Sequence, residues 1–204
     1  MDEIVKQGMA KWPTVPAVYG WLSLDRRGHW LIKGERISNA IVADFIGRNY
    51  EHDDLGRWFF QNGPQRVFIS LDYTPFIYRL LWDANPGAAQ RMETHTGCAV
   101  TKIDGAWIDD AGIVLIESEH GIGLVDDRDL ERLLTCFTDE RGGALTEENI
   151  GAAIERLQSG AIADLAFSYR GSIVAVAPIA AAEVPTRCGY VQRPLQPAGQ
   201  EECY

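Results

Sequence analysis

A chain of 204 residues, 46% hydrophobic and 24% charged, holds enough apolar material for one sizeable core or two small ones. Its 19 basic and 29 acidic side chains leave a net charge of −10, a field that repels phosphate backbones and anionic lipid, so neither nucleic acid nor a membrane surface is an expected partner. No segment approaches the roughly 20 apolar residues of a bilayer span.

Other classes fall on local grounds. Cys98, Cys136, Cys188 and Cys203 form no CxxC pair, and the opening MDEIVKQGMAKWP lacks the apolar run of a signal peptide. A cytoplasmic chain with reduced thiols and no cofactor is expected.

Residues 2–11 read as a short helix with Ile4, Val5 and Met9 on one side, stopped by Trp12-Pro13. Trp21, Leu22 and Leu24 then precede Asp25-Arg26-Arg27-Gly28, and His29 to Ile32 follow. Asp first and Gly fourth are what a type I turn closed by a left-handed residue needs, so this is a β-hairpin. Gly34 to Ile37 reads as a second turn. Ser38 or Asn39 can cap a helix through residue 49, with Ile41, Val42, Phe45, Ile46, Asn49 and Tyr50 in one buried stripe. His52 to Gly56 is a loop, residues 57–61 and 66–71 are strands broken by Asn62-Gly63-Pro64, and residues 76–82 form the return strand. NPGAAQ at 85–90 suits a linker between lobes.

The second half uses the same grammar. Asp109-Asp110-Ala111-Gly112 repeats the Asp-x-x-Gly turn, Ile116 and Glu119 take the places of Ile32 and Glu35, and Asp129-Leu130 opens a helical stripe as Asp44-Phe45 does. LDYTPFIY at 71–78 is matched with FSYRGSIV at 167–174. Thr146-Glu147-Glu148-Asn149 stands ahead of Ile150, Ile154 and Leu157 in a further helix, with an acidic first turn and Gly160 near its end. Beyond Pro178 the chain is poor in large apolar residues, as in a disordered or surface-docked tail. The expected fold is α+β: two diverged hairpin-helix-hairpin modules, mainly antiparallel sheet with helices packed on it. The expected segments are 1–16 (helix and entry), 17–84 (first module), 85–97 (linker), 98–178 (second module) and 179–204 (tail).

The run Asp25-x-x-Gly28-x-Trp30-x-x-x-Gly34-x-x-Ile37, a helix ending in Phe45-Ile46, and Gly56-Arg57-Trp58-Phe59 before a Gly-Pro turn resembles a family of small proteobacterial proteins of unknown function. It is similar, more distantly, to domain-of-unknown-function family 1285. The resemblance covers roughly residues 18–80. It implies repeated α+β motifs and a link to signal transduction, and brings no catalytic residues with it.

Few constellations could carry chemistry. His52-Asp53-Asp54 could offer imidazole and carboxylate to a metal in a metal-dependent hydrolase, or be a polar loop turned by a carboxylate. Glu117 to Gly123 lacks the third glycine of GxGxxG and the lysine of a P-loop, so its glycines belong to a hairpin. Asp126-Asp127 suits a helix cap, Cys98 a strand, and Cys136, at the end of an apolar helix, an inert thiol. No GxSxG elbow or SxxK motif occurs.

The densest stretch is GRWFFQNGPQRVFISLDYTP, residues 56–75. Alternation sends Trp58, Phe60, Val67, Ile69 and Leu71 to one face, a core row. It sends Arg57, Phe59, Gln61, Arg66, Phe68, Ser70 and Asp72 to the other. Arginine and glutamine beside rings suit forked hydrogen bonds and stacking with a small anionic ligand or a partner segment, which makes Arg57, Gln61, Arg66, Phe68 and Tyr73 the candidate binding residues. The alternative is a strand face whose arginine stems cover the rings and pair with Asp53 or Asp72. The expected function is a non-enzymatic ligand- or partner-binding module, regulatory or signal-transducing, with a homodimer as one assembly.

Overall fold

The chain divides into two compact units, Met1–Pro75 with Cys188–Tyr204, and Phe76–Arg187. The computed structural model describes residues 1–12, 15–81 and 90–197.

The first unit starts with α1 (Glu3–Lys11), whose Val5 is buried and whose Gly8 lies against the Gly63-Pro64 turn. Six strands follow in one sheet: β1 (Val18–Leu24), β2 (Trp30–Ile32), β3 (Glu35–Arg36), β4 (Tyr50–His52), β5 (Trp58–Asn62) and β6 (Gln65–Leu71). Between β3 and β4 runs α2 (Ala40–Arg48), started by Asn39, whose Oδ1 accepts from the Ile41 and Val42 N–H groups. The spatial order is β3-β2-β1-β6-β5-β4, with β1 and β6 parallel at the centre and the other neighbours antiparallel.

The second unit contains β7 (Phe76–Leu81), β8 (Arg91–Thr94), β9 (Ile103–Asp109), β10 (Val114–Ser118) and β11 (Gly121–Val125). A 3₁₀ turn, Asp127–Asp129, leads into α3 (Leu130–Leu134), followed by β12 (Phe137–Thr138), α4 (Glu147–Gln158), β13 (Ala166–Tyr169), β14 (Ser172–Ile179) and α5 (Val184–Arg187). Thr146 caps α4 by accepting from the Asn149 N–H. The sheet order is β12-β13-β14-β9-β10-β11-β7-β8.

From β11 to β12 this order retraces the first sheet from β3 to β4, again with a parallel central pair, β9 and β14. The registers agree as well. Leu24 pairs with Trp30 and Ile108 with Val114; Leu22 pairs with Ile69 and Ala106 with Val176; Phe60 pairs with Val67 and Phe167 with Val174. In this alignment FSYRGSIV belongs with β5 and β6, not with LDYTPFIY, because the strand before its turn is the neighbour of β14.

One turn recurs in both units. Oδ1 of Asp25 accepts from the N–H groups of Arg27 and His29, Asp109 from Ala111 and Ile113, Asp53 from Leu55 and Arg57, and Asp139 from Arg141 and Gly143. The fourth residue, Gly28, Gly112, Gly56 or Gly142, takes φ between 72° and 84°, where a side chain would be strained.

Other elements depart from the sequence reading. Residues 76–81 do not return to the first sheet; they pair with β8 and with β11, a choice that alternation alone cannot make. Of the expected linker, residues 85–89 lie outside the described residues, and Arg91–Thr94 is a strand. Glu35–Arg36 is a strand after a Lys33-Gly34 turn. Cys98 lies in the turn after β8 and is exposed. The expected tail is docked where it is described: Val184 and Tyr190 are buried, and Val191 bridges Arg57 and donates its N–H to the Gly56 carbonyl.

Candidate functional site

The face of the first sheet carrying Arg57, Phe59, Gln61, Arg66 and Phe68 follows the predicted alternation: Phe59 stands opposite Phe68 and Gln61 opposite Arg66. It is not an outward row, however. Phe59, Gln61, Phe68 and Tyr73 are all buried. Phe68 stacks on Tyr19 with ring centroids 4.6 Å apart, and the Arg57 guanidinium lies 4.7 Å from the Phe68 centroid. Arg57 also binds Asp53, Nη2 to Oδ2 at 2.6 Å. Burial works against ionisation of Asp53, but its bonds with Arg57 outweigh this and hold the carboxyl below its ordinary pKa. Arg66 covers Phe59 from 4.6 Å, and Arg26 covers Tyr73 from 5.0 Å. Nε2 of Gln61 donates to the Gly63 carbonyl, while its Oε1 is buried without a partner among the described residues. The structure thus brings Arg57, Gln61, Arg66 and Phe68 to one face and places Tyr73 under Arg26, with the arginines acting as lids on rings.

The His52-Asp53-Asp54 run is the start of an Asp turn: Asp53 is committed to the Leu55 and Arg57 N–H groups and the Arg57 guanidinium. Among the described residues no group of three or more His, Cys, Asp or Glu side chains could hold a metal. Burial raises the Cys136 thiol to about 11, the behaviour expected of an inert thiol. In the second unit Asp126 and Asp129, both buried, bind Arg79, with Arg128 on Asp126 and Arg132 on Asp129.

The opposite face of the first sheet holds a pocket of about 350 Å³ that sequence reasoning missed. Its floor is Val18, Leu22, Phe60 and Val67, with Ile46 from α2. Its rim is Trp21, Ile32 and Val42, which are 39%, 47% and 41% exposed. The expected buried stripe of α2 therefore begins only at Phe45 and Ile46; Ile41 and Val42 are exposed, and of the two Val42 borders the pocket. A bulge in β1 contributes too: the register jumps between Val18 and Leu22, and Gly20 at φ 72° brings Trp21 to the rim. The Lys33 ammonium stands 4.0 Å from the Trp21 centroid and fixes that wall.

Polar atoms enter the pocket from Asn62 and Gln65. Strands β1 and β6 begin at one end of the sheet, and β5, antiparallel to β6, ends there, so both amides lie at that end. Nε2 of Gln65 donates to the Pro16 carbonyl at 3.2 Å. The Asn62 amide makes no side-chain hydrogen bond among the described residues.

The same place in the second sheet is full. Ala106, Ile116, Phe167 and Tyr169 hold the registers of Leu22, Ile32, Phe60 and Asn62, and all are buried, at 2% exposure or less. The Tyr169 hydroxyl donates to the Val100 carbonyl and accepts from the Met92 N–H, each at 2.9 Å, and Met92 and Val100 are buried with it.

Fold and geometry together define an α+β protein of two sheets with helices packed on them. The chain belongs to the family described as "Protein of unknown function (DUF2946)", whose model matches residues 1–195. It is similar to the crystal structure of a DUF1285 family protein from Silicibacter pomeroyi DSS-3, with TM-score 0.52 and 16% identity over 81% of this chain and 85% of that one. A DUF1285 family protein from Shewanella baltica OS155 matches at TM-score 0.43 and 16% identity, over 56% and 91%. These identities speak for the fold alone, and the second match is too loose to add to it. No curated protein matches the chain. Among the described residues no helix is long and apolar enough to cross a membrane.

Proposed function

We propose that this protein is a binding module whose receptor site is the pocket of the first unit. The observation that carries this reading is a preformed apolar cavity with three half-exposed apolar residues at its rim, a surface that stays wet at a cost unless something covers it. In our reading the two units are diverged copies of one sheet module, of which the first has kept its cavity and the second has filled it. A regulatory or signal-transducing role follows if occupancy is read by a partner.

The arginine face supports this function less well. Arg57 is engaged by Asp53, and the rings below it are covered. The pocket lining has no charged side chain, so an uncharged ligand replaces the anionic one expected from the arginines. A thermal-shift screen of small apolar and amphipathic compounds on wild type and Val42→Arg tests the reading. Hits that stabilise the wild type should lose their effect in Val42→Arg, whose own stability stays within about 0.5 kcal/mol of wild type because the site is exposed. Shifts of equal size in both proteins, or none in either, would overturn it.

A further inference from the structure

The second unit shows what this sheet face accepts when it is filled. At the register of Asn62 it carries Tyr169, a buried aromatic ring whose hydroxyl both donates and accepts. In the first unit the same register belongs to Asn62, whose side chain is shorter, and Phe60 and Asn62 both line the open pocket. The surrounding chemistry matches in kind. Phe60 and Trp21 present rings, aliphatic side chains close the rest, and the hydrogen-bonding atoms sit at one end, where the Asn62 amide offers both a donor and an acceptor.

We propose that the pocket of the first unit binds a small phenol, a single aromatic ring bearing one hydroxyl, with the ring between Trp21 and Phe60 and the hydroxyl at Asn62 and Gln65. This rests on the reading of the pocket as a receptor site and specifies its ligand. The cavity's size, near the lower end for small-molecule sites, suits one ring better than a fused system. The absence of a charged lining residue excludes a carboxylate or ammonium group at depth, which would be desolvated without a counterion. The hydroxyl keeps its proton and exchanges bonds to water for bonds to the two amides. Gln65 supplies its Oε1 as acceptor, because its Nε2 is already held by Pro16.

The test is an amide-resolved NMR titration with p-cresol, the side-chain analogue of tyrosine, and with toluene, which lacks the hydroxyl. In wild type p-cresol should shift the Asn62 and Gln65 resonances and bind about 3–10-fold more tightly than toluene, the usual range for one net hydrogen bond. Asn62→Ala should reduce that preference while toluene still binds. Asn62→Tyr, which supplies the ring covalently, should abolish binding of both, as should Val42→Arg. Equal affinity of p-cresol and toluene in wild type, or a preference that Asn62→Ala leaves unchanged, overturns the phenol assignment and leaves the receptor reading standing. Binding of either compound that is unaffected by Val42→Arg, or no binding at all, overturns the phenol assignment. If the compound screen also finds no hit sensitive to Val42→Arg, the receptor reading falls with it.

Discussion

Phe60 and Phe167 stand at one register in two sheets that share the order of six strands, and two places along the strand Asn62 in one answers Tyr169 in the other. Tyr169 extends over its sheet and ties its hydroxyl to the backbone of Met92 and Val100; Asn62 stops short, and Trp21, Ile32 and Val42 stay half exposed. Both sheets build an apolar face with equal strictness. What differs is whether the chain supplies something to cover it: the second unit has the Tyr169 ring and the added strand β8, whose Met92 N–H it accepts from, and the first has Asn62 at that register.

The comparison can be broken most forcefully at Tyr169. Tyr169→Ala removes a fully buried ring and leaves the Met92 N–H and Val100 carbonyl unpaired, so a loss of about 4–6 kcal/mol is expected in chemical denaturation. A loss below about 1 kcal/mol would mean that the second face is not held shut by this residue. The matched pair Phe167→Ala and Phe60→Ala sharpens the contrast. Phe167 should fall near the upper end of the roughly 3–5 kcal/mol range for such truncations, and Phe60, already beside open space, at or below its lower end. Equal losses would contradict the difference in packing.

The smallest effect concerns Glu119, which accepts from Thr101 N–H and Oγ and from Lys102 N–H and so pins the chain just after Val100. Burial works against its ionisation, but the Thr101 bonds outweigh this and bring its pKa down to about 2 from 4.5. A carboxyl lowered in this way stabilises the fold fully above pH 4.5 and loses that contribution as pH falls toward 2. Wild type should therefore exceed Glu119→Gln by about 1 kcal/mol or less near neutral pH, with the gap closing across that window. A gap independent of pH would show that the charge is not what holds the segment.

Local chemistry was legible in the sequence. Asp25 with Gly28 and Asp109 with Gly112 announced their turns because every bond involved lies within five residues. Alternation correctly split residues 57–71 into two rows, since strand geometry fixes side-chain direction. It could not say that Phe68 would be capped by Arg57 and Tyr19, nor that residues 76–81 would pair with Arg91–Thr94 and Gly121–Val125, because partners come from elsewhere in the chain. The pocket was hidden for the same reason. Ile41 and Val42 continue the periodicity of Ile46, and only the absence of a cover distinguishes them.

The docking of residues 190–192 on the first sheet has a consequence for biosynthesis. The Leu71 N–H donates to the Gln192 carbonyl, and the Gly56 carbonyl accepts from Val191, so β6 and the β4–β5 turn are completed by residues made long after them. At roughly 5–20 residues per second, synthesis separates Leu71 from Gln192 by roughly 6–24 s. During that interval the emerging first sheet must persist without its last hydrogen bonds while the whole second unit is translated. The pocket-bearing half of the protein is thus the first to be made and the last to be finished.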